Sequence, residues 1–386
     1  MDSSFISIDQ SVPLPVKQPS SVTELGELVK QARASCLGVY PIGGRTTLDV
    51  GLPPLKPGIA IDTSVLNRVI DYPARDMTIT VQAGITFAKL QAELVREGQW
   101  LPIDVPEPEK TTLGGAIALN QSGPHRNGYG TLRDYVIGIS FVTDDGVEVK
   151  AGGRVVKNVA GYDLMKLQIG AVGTLGIITQ VTMKVKPKPE TSAEVVFGGS
   201  SESIGDILDR LHASKARPVV VELLKPEAHS EWMFAVGFEE KATTVKWQLA
   251  TLLDELKSAP VRDVTKIPDS SNLWAELTAL QTRPESRYIG KISVLPSKLA
   301  ETVQDLASRH PDGLIHAHAL NGIAWFHPTK EFSAGDNYVV RRCPPELKKS
   351  LSVWGKPRTD WELMRHIKKT LDPDNLFNPG RLFGDS

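Results

Sequence analysis

Three glycine-rich segments in the first half of this 386-residue chain restrict its fold more than any other feature. They are Pro41-Ile-Gly-Gly-Arg-Thr-Thr47, Thr111-Thr-Leu-Gly-Gly-Ala116 with its continuation to Asp134, and Gly170-Ala-Val-Gly-Thr-Leu-Gly-Ile-Ile178. Glycine loses more conformational entropy on folding than any other residue, so this density is unfavourable unless the backbone must approach something closely. A flat ring system laid against the main chain is one such object. No single segment is diagnostic, but their order and spacing together are.

The first segment has the chemistry of an anion-binding loop. The Gly43-Gly44 turn follows a predicted strand (37–41) and lets successive backbone N–H groups point at one spot, as a nest for a pyrophosphate. Thr46 and Thr47 add hydroxyl donors, and Arg45 adds positive charge. An ordinary Gly-Gly loop is the alternative interpretation. The segment matches neither G-x-G-x-x-G nor G-x-x-x-x-G-K-[ST], which disfavours simple nicotinamide and nucleoside triphosphate sites.

Periodicity in the first half predicts alternating helices and strands. A helix begins at Ser21, where Ser21 and Glu24 form a capping-box pair, and a second helix is capped by Thr86. Strands are predicted over 77–82, over 135–143 and 147–150 as a hairpin, and over 178–185. The Pro-rich stretch 186–190 then marks the predicted domain boundary.

The second half predicts an α+β sandwich. Candidate strands at 218–224, 232–239, 288–295 and 313–325 are interleaved with apolar helical stripes over 245–256 and 299–306. No internal repeat is visible in the sequence. A short tail ends in a helix from Asp360 to about Leu371.

Composition excludes several classes of function. The chain has 44 basic and 45 acidic residues and a net charge of −1, which argues against a nucleic-acid-binding protein. Two cysteines, Cys36 and Cys343, cannot ligate an iron–sulfur cluster or build a disulfide scaffold. No apolar run approaches membrane-spanning length, and the N-terminal segment lacks the pattern of a signal peptide. We therefore expect a cytoplasmic protein that reaches the inner membrane only through partners.

The motifs together resemble a known family. The series PIGGRTT, TVQAG, TTLGGAIALNQSG, GYGTLRD, GGRVVKNVAGYDLMKL and GTLGIITQV resembles the FAD domain of the vanillyl-alcohol oxidase and p-cresol methylhydroxylase (PCMH) superfamily. Within it, the stretch 157–163, Val353-Trp-Gly355 and the stretch 371–381 are similar to the smaller FAD-binding subunit of glycolate oxidase. The resemblance implies an α+β fold with a two-lobed PCMH-type FAD-binding domain (1–188). An α+β, ferredoxin-like cap domain (189–340) and a C-terminal helical segment (341–386) returning to the FAD domain would follow.

The resemblance also implies non-covalent FAD. Relatives with covalent flavin often carry a histidine directly after the glycine pair of the first loop, where this chain has Arg45. The first segment would cradle the pyrophosphate, the second would line the flavin, and the third would contact the adenosine side or the ring. The predicted FAD-binding residues are Pro41, Ile42, Gly43, Gly44, Arg45, Thr46, Thr47, Thr111, Thr112, Leu113, Gly114, Gly115, Gly123, Gly130, Gly173, Gly176, Ile177 and Ile178.

Three residues beside the second segment are candidates for catalysis. His125 is a candidate acid–base group, with a structural loop histidine as the alternative. Arg126 and Arg133 are candidates for binding an anionic group, although Arg133 is equally suited to an ion pair with its neighbour Asp134.

The pattern departs from the catalytic relatives at their metal site. Relatives that oxidise D-2-hydroxy acids carry H-x-G-D-G-N-x-H followed by Glu-His-Gly, where a divalent metal acts as Lewis acid. Here the stretch begins at His318, but Asn321 and Trp325 replace the aspartate and second histidine, and the later pair falls at Val353 and Trp354. At most one ligand remains. No metal is therefore expected, although His316 and His318 would project from one face of a strand.

Three functions remain open on this basis. The first is an FAD subunit of a glycolate oxidase-type complex, which relays electrons between a larger catalytic FAD subunit and an iron–sulfur subunit. The second is a free-standing FAD-dependent dehydrogenase of a small 2-hydroxy acid. The third is a non-catalytic scaffold subunit, which bulky substitutions in the glycine segments would indicate; none are present.

Overall fold

The computed structural model describes residues 5–9, 11–153, 163–228, 231–267, 271–332, 335 and 337–384. Most of the motif at 157–163 lies outside these ranges, and only its last residue, Asp163, is described. Within them, the chain forms sheets of four, five, two and eight strands. No helix in these ranges is long and apolar enough to cross a bilayer.

The four-stranded sheet comes from the start of the chain. Its elements are β1 (Phe5–Ile6), β2 (Leu14–Lys17), α1 (Val22–Ala34), β3 (Gly38–Ile42) and β4 (Gly58–Asp62), in the sheet order β1-β2-β4-β3. β4 pairs in parallel with both β2 and β3. Helix α1 begins where the sequence predicted it, since the Ser21 side chain accepts from the Glu24 N–H, and it buries Leu25, Val29 and Ala32.

The five-stranded sheet follows and is antiparallel, in the order β5-β6-β10-β8-β9. Thr86 caps α2 as predicted. The elements are β5 (Val69–Asp71), β6 (Thr78–Gln82), α2 (Phe87–Val95), β7 (Gln99–Trp100), α3 (Leu113–Leu119), α4 (Arg126–Tyr129), α5 (Leu132–Tyr135), β8 (Val136–Val142), β9 (Glu148–Gly152), α6 (Met165–Gln168) and β10 (Ile177–Lys184). The short strand β11 (Lys186–Pro187) then pairs with β7.

The eight-stranded sheet spans Thr191 to Arg342. Its elements are β12 (Thr191–Gly199), α7 (Ile204–Ala213), β13 (Val220–Lys225), β14 (Trp232–Glu240), α8 (Ala242–Glu255), β15 (Val261–Ile267), α9 (Ser271–Ala279), β16 (Ile289–Ser293), α10 (Leu299–Arg309), β17 (Leu314–His318), β18 (Ile323–His327) and β19 (Tyr338–Arg342). Helices α7, α8 and α10 share one hydrophobic core with a single face of the sheet. The other face is turned toward the first half, where Gly128 of α4 donates to the carbonyl of Val219.

The sheet order shows a repeat of topology that the sequence does not reveal. The first unit runs β12-α7-β13-β14-α8-β15 with the order β15-β12-β14-β13, which is ferredoxin-like. The second unit, β16-α10-β17-β18-β19, has the mirrored order β17-β18-β16-β19. The second strands of the two units, β13 and β17, pair at the centre of the sheet. The predicted α+β class with a ferredoxin-like cap is confirmed.

The predicted strand at 313–325 is wrong in one respect, because it is a hairpin. β17 and β18 are separated by a tight turn in which Gly322 has φ of 67°. Continuous apolar alternation on both sides of a short turn reads as one strand, which explains the error.

The C-terminal segment returns to the first sheet. After α11 (Trp361–Leu371), Phe377 forms a parallel bridge with Val39 of β3. Lys348 is buried and binds the carboxylate of Asp9, which also accepts from Arg381. Asp9 from the first part of the chain and Arg381 from the last part therefore meet beside the first glycine-rich segment.

Candidate FAD site

One cleft in the first half brings parts of all three glycine-rich segments together. Its volume is about 910 Å³, including space open to solvent. The walls are the loop after β3, the start of α3 and the loop before β10. The predicted residues that line it are Pro41 to Thr47, Thr111, Thr112, Gly114, Gly115, Gly173, Gly176, Ile177 and Ile178.

The loop after β3 presents a row of unpaired backbone donors to this cleft. Within the described ranges, none of the five N–H groups from Gly43 to Thr47 donates a hydrogen bond. Arg45 adopts the left-handed conformation, with φ of 59°. Successive N–H groups turned into a concavity form an anion-binding nest, and leaving them unpaired away from water would be costly. The loop therefore has a backbone arrangement that could hold an anion such as a pyrophosphate.

The Gly43-Gly44 pair is required by close packing of protein against protein. A Cβ at Gly44 would lie 2.6 Å from the carbonyl carbon of Lys110 and closer still to its oxygen. A Cβ at Gly43 would overlap Oγ1 of Thr112. The two glycines let the loop lie directly against the start of α3, and this contact forms one corner of the cleft.

Two polar side chains of the first segment are occupied within the protein. Arg45 Nη2 lies 2.9 Å from Oδ2 of Asp62, so the predicted positive charge is balanced by a buried carboxylate. The Thr111 hydroxyl donates to the carbonyl of Pro106 at 2.6 Å, so Thr46 is the donor in the 3.1 Å contact between the two threonines. Among the described contacts of this loop, the backbone N–H groups and the Thr47 hydroxyl therefore remain as donors for an anion.

The end of α3 leaves two buried acceptors without partners. Oδ1 of Asn120 and Oε1 of Gln121 are buried, and no hydrogen bond reaches either one from the described residues. They directly follow Ala118 and Leu119, which line the cleft. A buried acceptor without a donor costs free energy, so these atoms mark positions where donors of a bound molecule would be stabilising.

The C-terminal segment contributes two lining residues that sequence reasoning did not assign. Asn378 and Arg381 line the cleft. Asn378 donates to the carbonyl of Val172 at 2.7 Å, and Arg381 donates to the carbonyls of Leu48, Val50 and Leu52. Both belong to the motif at 371–381, so the signal was present, but only the fold places it beside the first loop.

Three predicted FAD-binding residues and all three predicted catalytic residues lie outside this cleft. Leu113 is fully buried in the core of the five-stranded sheet, because the helical period turns it away from its neighbours Thr112 and Gly114. Gly123 packs against the side chain of Asp104, and Gly130 ends α4 with φ of 85° against Asp134. Arg133 is exposed and donates to the carbonyl of Lys166.

His125 is also outside the cleft, and both of its ring nitrogens are engaged. Nδ1 lies 2.7 Å from Oδ1 of Asp104, and Nε2 lies 2.8 Å from Oε1 of Glu239. Burial alone would lower the pKa of His125, but the charges and hydrogen bonds of the two carboxylates outweigh it and raise the pKa to about 10. No nitrogen is left for a substrate, so this geometry gives no support to the predicted acid–base role.

Arg126 belongs instead to a group of cations between the two halves. It contacts Oγ of Ser122 at 3.2 Å, while Lys291 of β16 lies 5.3 Å from the ring centre of Trp325. Burial lowers the pKa of Lys291 to about 7, with further lowering from the charges of Arg341 and Arg126. Among the described residues, no carboxylate forms an ion pair with Lys291, Arg341 or Arg126. We call these three residues the cation cluster; such a group favours an anionic ligand.

The cap histidines do not assemble a metal site. His318 Nδ1 lies 2.7 Å from Oε1 of Glu222, and His316 stacks on Trp325 with ring centres 4.8 Å apart. Both side chains are buried, and burial lowers the pKa of His316 well below its ordinary value. Across the described ranges, no three His, Cys, Asp or Glu side chains are grouped to hold a metal ion. In the strand register, Trp325 of β18 lies opposite His316 of β17 on one side and opposite Lys291 of β16 on the other.

Comparisons with known proteins identify the family and its cofactor. The family model described as an FAD binding domain matches residues 13–152, and the one described as FAD linked oxidases, C-terminal domain, matches residues 348–382. Over 97% of its length the chain is 31% identical to glycolate oxidase subunit GlcD of Bacillus subtilis, 90% of which is covered. The chain belongs to the FAD-linked oxidase family. It is also 27% identical to glycolate oxidase subunit GlcE of Escherichia coli, over 93% of this chain and 96% of that subunit.

Other members with similar identity are named as D-lactate and D-2-hydroxyglutarate dehydrogenases. Among solved structures, alkyldihydroxyacetonephosphate synthase matches with a TM-score of 0.72 and 20% identity, over 96% of this chain and 78% of that one. The predicted PCMH-type fold is thereby confirmed.

FAD is the cofactor of this FAD-dependent oxidoreductase, and the cleft fits it. The unpaired N–H row of the first loop suits the pyrophosphate, whereas Asn120 and Gln121 only follow the lining residues Ala118 and Leu119 and do not line the cleft themselves. When bound, FAD supplies the capacity to accept two electrons from an organic substrate.

Proposed function

We propose that this chain is the FAD-binding subunit of a glycolate oxidase-type complex that oxidises glycolate or a related 2-hydroxy acid. One observation carries the proposal: a cleft lined by parts of all three glycine-rich segments coexists with Asn321, Trp325, Val353 and Trp354 at the positions of a metal-ligand set. Similarity to both GlcE and GlcD supports a place in a multi-subunit enzyme.

In this proposal, electrons pass between a larger catalytic FAD subunit and an iron–sulfur subunit. A cluster must lie on a partner, because Cys36 is exposed and Cys343 is buried elsewhere in the fold. FAD is held without a covalent bond, since Arg45 occupies the position after the glycine pair and is paired with Asp62. The complex would be cytoplasmic, and any contact with the inner membrane would be made through partners.

A second candidate function is favoured by the cation cluster. A free-standing dehydrogenase of a small 2-hydroxy acid would need groups to hold the substrate carboxylate, and Arg126 and Lys291 are available for it. Their part would be to bind and orient the acid, while the buried surroundings exclude water. A scaffold without cofactor is disfavoured by the unpaired backbone N–H groups from Gly43 to Thr47, which such a scaffold would not need.

Absorbance and anaerobic mixing separate these functions. The purified chain should show flavin absorbance, and heat denaturation should release all flavin into the supernatant. A colourless protein that ignores added FAD would contradict both enzymatic proposals. Anaerobic addition of glycolate or D-lactate should leave the flavin of the isolated chain oxidised if it is a relay subunit, whereas bleaching identifies the free-standing dehydrogenase. Co-purification from the native cell then tests for the two partner subunits.

A further inference from the structure

A buried charge network joins the two halves of the molecule around His125. The imidazole lies between Asp104, in the loop after β7, and Glu239 on β14 of the cap sheet. The backbone N–H of His125 also donates to Oδ2 of Asp104 at 2.9 Å. Tyr129 donates to the second oxygen of Glu239 at 3.0 Å. The exposed fractions of the His125 and Glu239 side chains are only 6% and 8%.

The geometry fits a doubly protonated ring between two ionised carboxylates. An ionised carboxylate only accepts hydrogen bonds, so each ring nitrogen must carry a proton to approach a carboxylate oxygen within 2.8 Å. The edges of Trp100 and Trp274 surround the ring at 5.5 and 6.3 Å between ring centres. These apolar walls strengthen the attraction between the imidazolium and its carboxylates.

Few other charges act on this network. Glu222 and His318 of the cap sheet influence it electrostatically, Glu240 acts on Tyr129, and Lys186 lies 5.8 Å from the Tyr129 ring centre. Asp104, His125 and Glu239 also line a cleft of about 1550 Å³ between the two halves, with Lys188, Glu107 and Glu190 on its walls. This cleft gives protons a route to the network.

We propose that His125 is a charged positioning residue that fixes the cap sheet against the FAD-binding half. The imidazolium neutralises Asp104 on one side and Glu239 on the other. Without it, two buried carboxylates from different halves would face each other and repel. Arg126 is the next residue in the chain, so the same anchor sets the gap between Arg126 and Lys291 within the cation cluster. This role is independent of which 2-hydroxy acid, if any, the enzyme oxidises.

The spread of distances between the halves tests this proposal. Pulsed electron paramagnetic resonance measures the distance between two spin labels, one on each half of the molecule. The first is on Cys36, which is exposed after α1, and the second is on an Ala250→Cys substitution in α8. A Cys343→Ala background prevents labelling of the second cysteine. We expect His125→Gln to widen the distance distribution about twofold or more, since the amide is uncharged and cannot serve both carboxylates. Glu231→Gln, which breaks an exposed ion pair with Arg262 on the same cap domain, is the matched control and should leave the width unchanged.

The pH dependence distinguishes a charged anchor from simple packing. The folded-state pKa of His125 lies above its unfolded value, so its contribution is complete below pH 6.5 and is lost as pH rises through about 10. The wild-type distribution should widen across that interval, and that of His125→Gln should not. A folded His125→Gln protein with the wild-type width, or a wild-type width that stays constant past pH 10, overturns the proposal. If circular dichroism shows that His125→Gln is unfolded, Glu239→Gln replaces it, and the width of the distance distribution between the spin labels is compared in the same way.

Discussion

A methyl group added at Gly44 should displace the loop that lines the FAD site and weaken FAD binding. The substituted Cβ of Gly44→Ala would lie 2.6 Å from the carbonyl carbon of Lys110, and real Cβ atoms essentially never approach within 3.0 Å. The obstacle is backbone, which cannot rotate away, so the loop must move by roughly 1 Å relative to the start of α3. Overpacking of this kind costs about 1–3 kcal/mol. If the strain is borne mainly by the arrangement that binds FAD, the dissociation constant rises between about fivefold and about 150-fold.

Titration of the FAD-free protein with FAD, followed by quenching of flavin fluorescence, measures this constant. The matched control is Gly205→Ala in α7, where the nearest atom to a new Cβ is the Cβ of Ala300 at 3.9 Å. That control should bind FAD normally and should be more stable by up to about 1 kcal/mol, because alanine favours a helix interior. A folded Gly44→Ala protein that binds FAD with the wild-type constant would refute the reasoning that the two loops form one rigid corner.

Two further predictions concern stability and thiol reactivity. Arg381→Lys should lower the free energy of unfolding, measured by urea titration, by roughly 2 kcal/mol. An ammonium group cannot reproduce the planar guanidinium that reaches Leu48, Leu52 and Asp9. An unchanged urea midpoint at unchanged slope would contradict this prediction. A thiol reagent at pH 8 should modify one cysteine per native chain. The reason is that Cys36 is exposed, whereas burial raises the pKa of Cys343 to about 11. Two fast-reacting thiols in the native protein would show that Cys343 is accessible.

Local signals in the sequence predicted much of the fold. The capping residues Ser21 and Thr86 mark the starts of α1 and α2, because their side chains accept from backbone N–H groups within the same turn. Alternation located strands such as β6, β13 and β14 for the same local reason, but it did not reveal β4, β12, β15 or β19. It failed at Gly322, where a turn of a few residues interrupts an apolar pattern that continues on both sides.

The candidate site was predicted in part. The loop 41–47 carries its own turn chemistry, so its donors can be inferred from Gly43 and Gly44. Leu113 was included wrongly among lining residues, because a motif read as a string does not say which way each residue of a helix points. Arg381 was left without a role, since its partners lie more than 300 residues earlier in the chain.

The sequence by itself determined the cofactor class, because the glycine segments are short-range backbone devices whose order can be read without coordinates. Only the tertiary structure decided where His125 and the cation cluster lie and which groups surround them. Asp104 and His125 lie outside the strands of the first half and Glu239 lies on β14, so their pairing depends on how the cap sheet is placed against the first half. Charge in a folded protein acts through distance and burial, and neither is written in the spacing of residues along a chain.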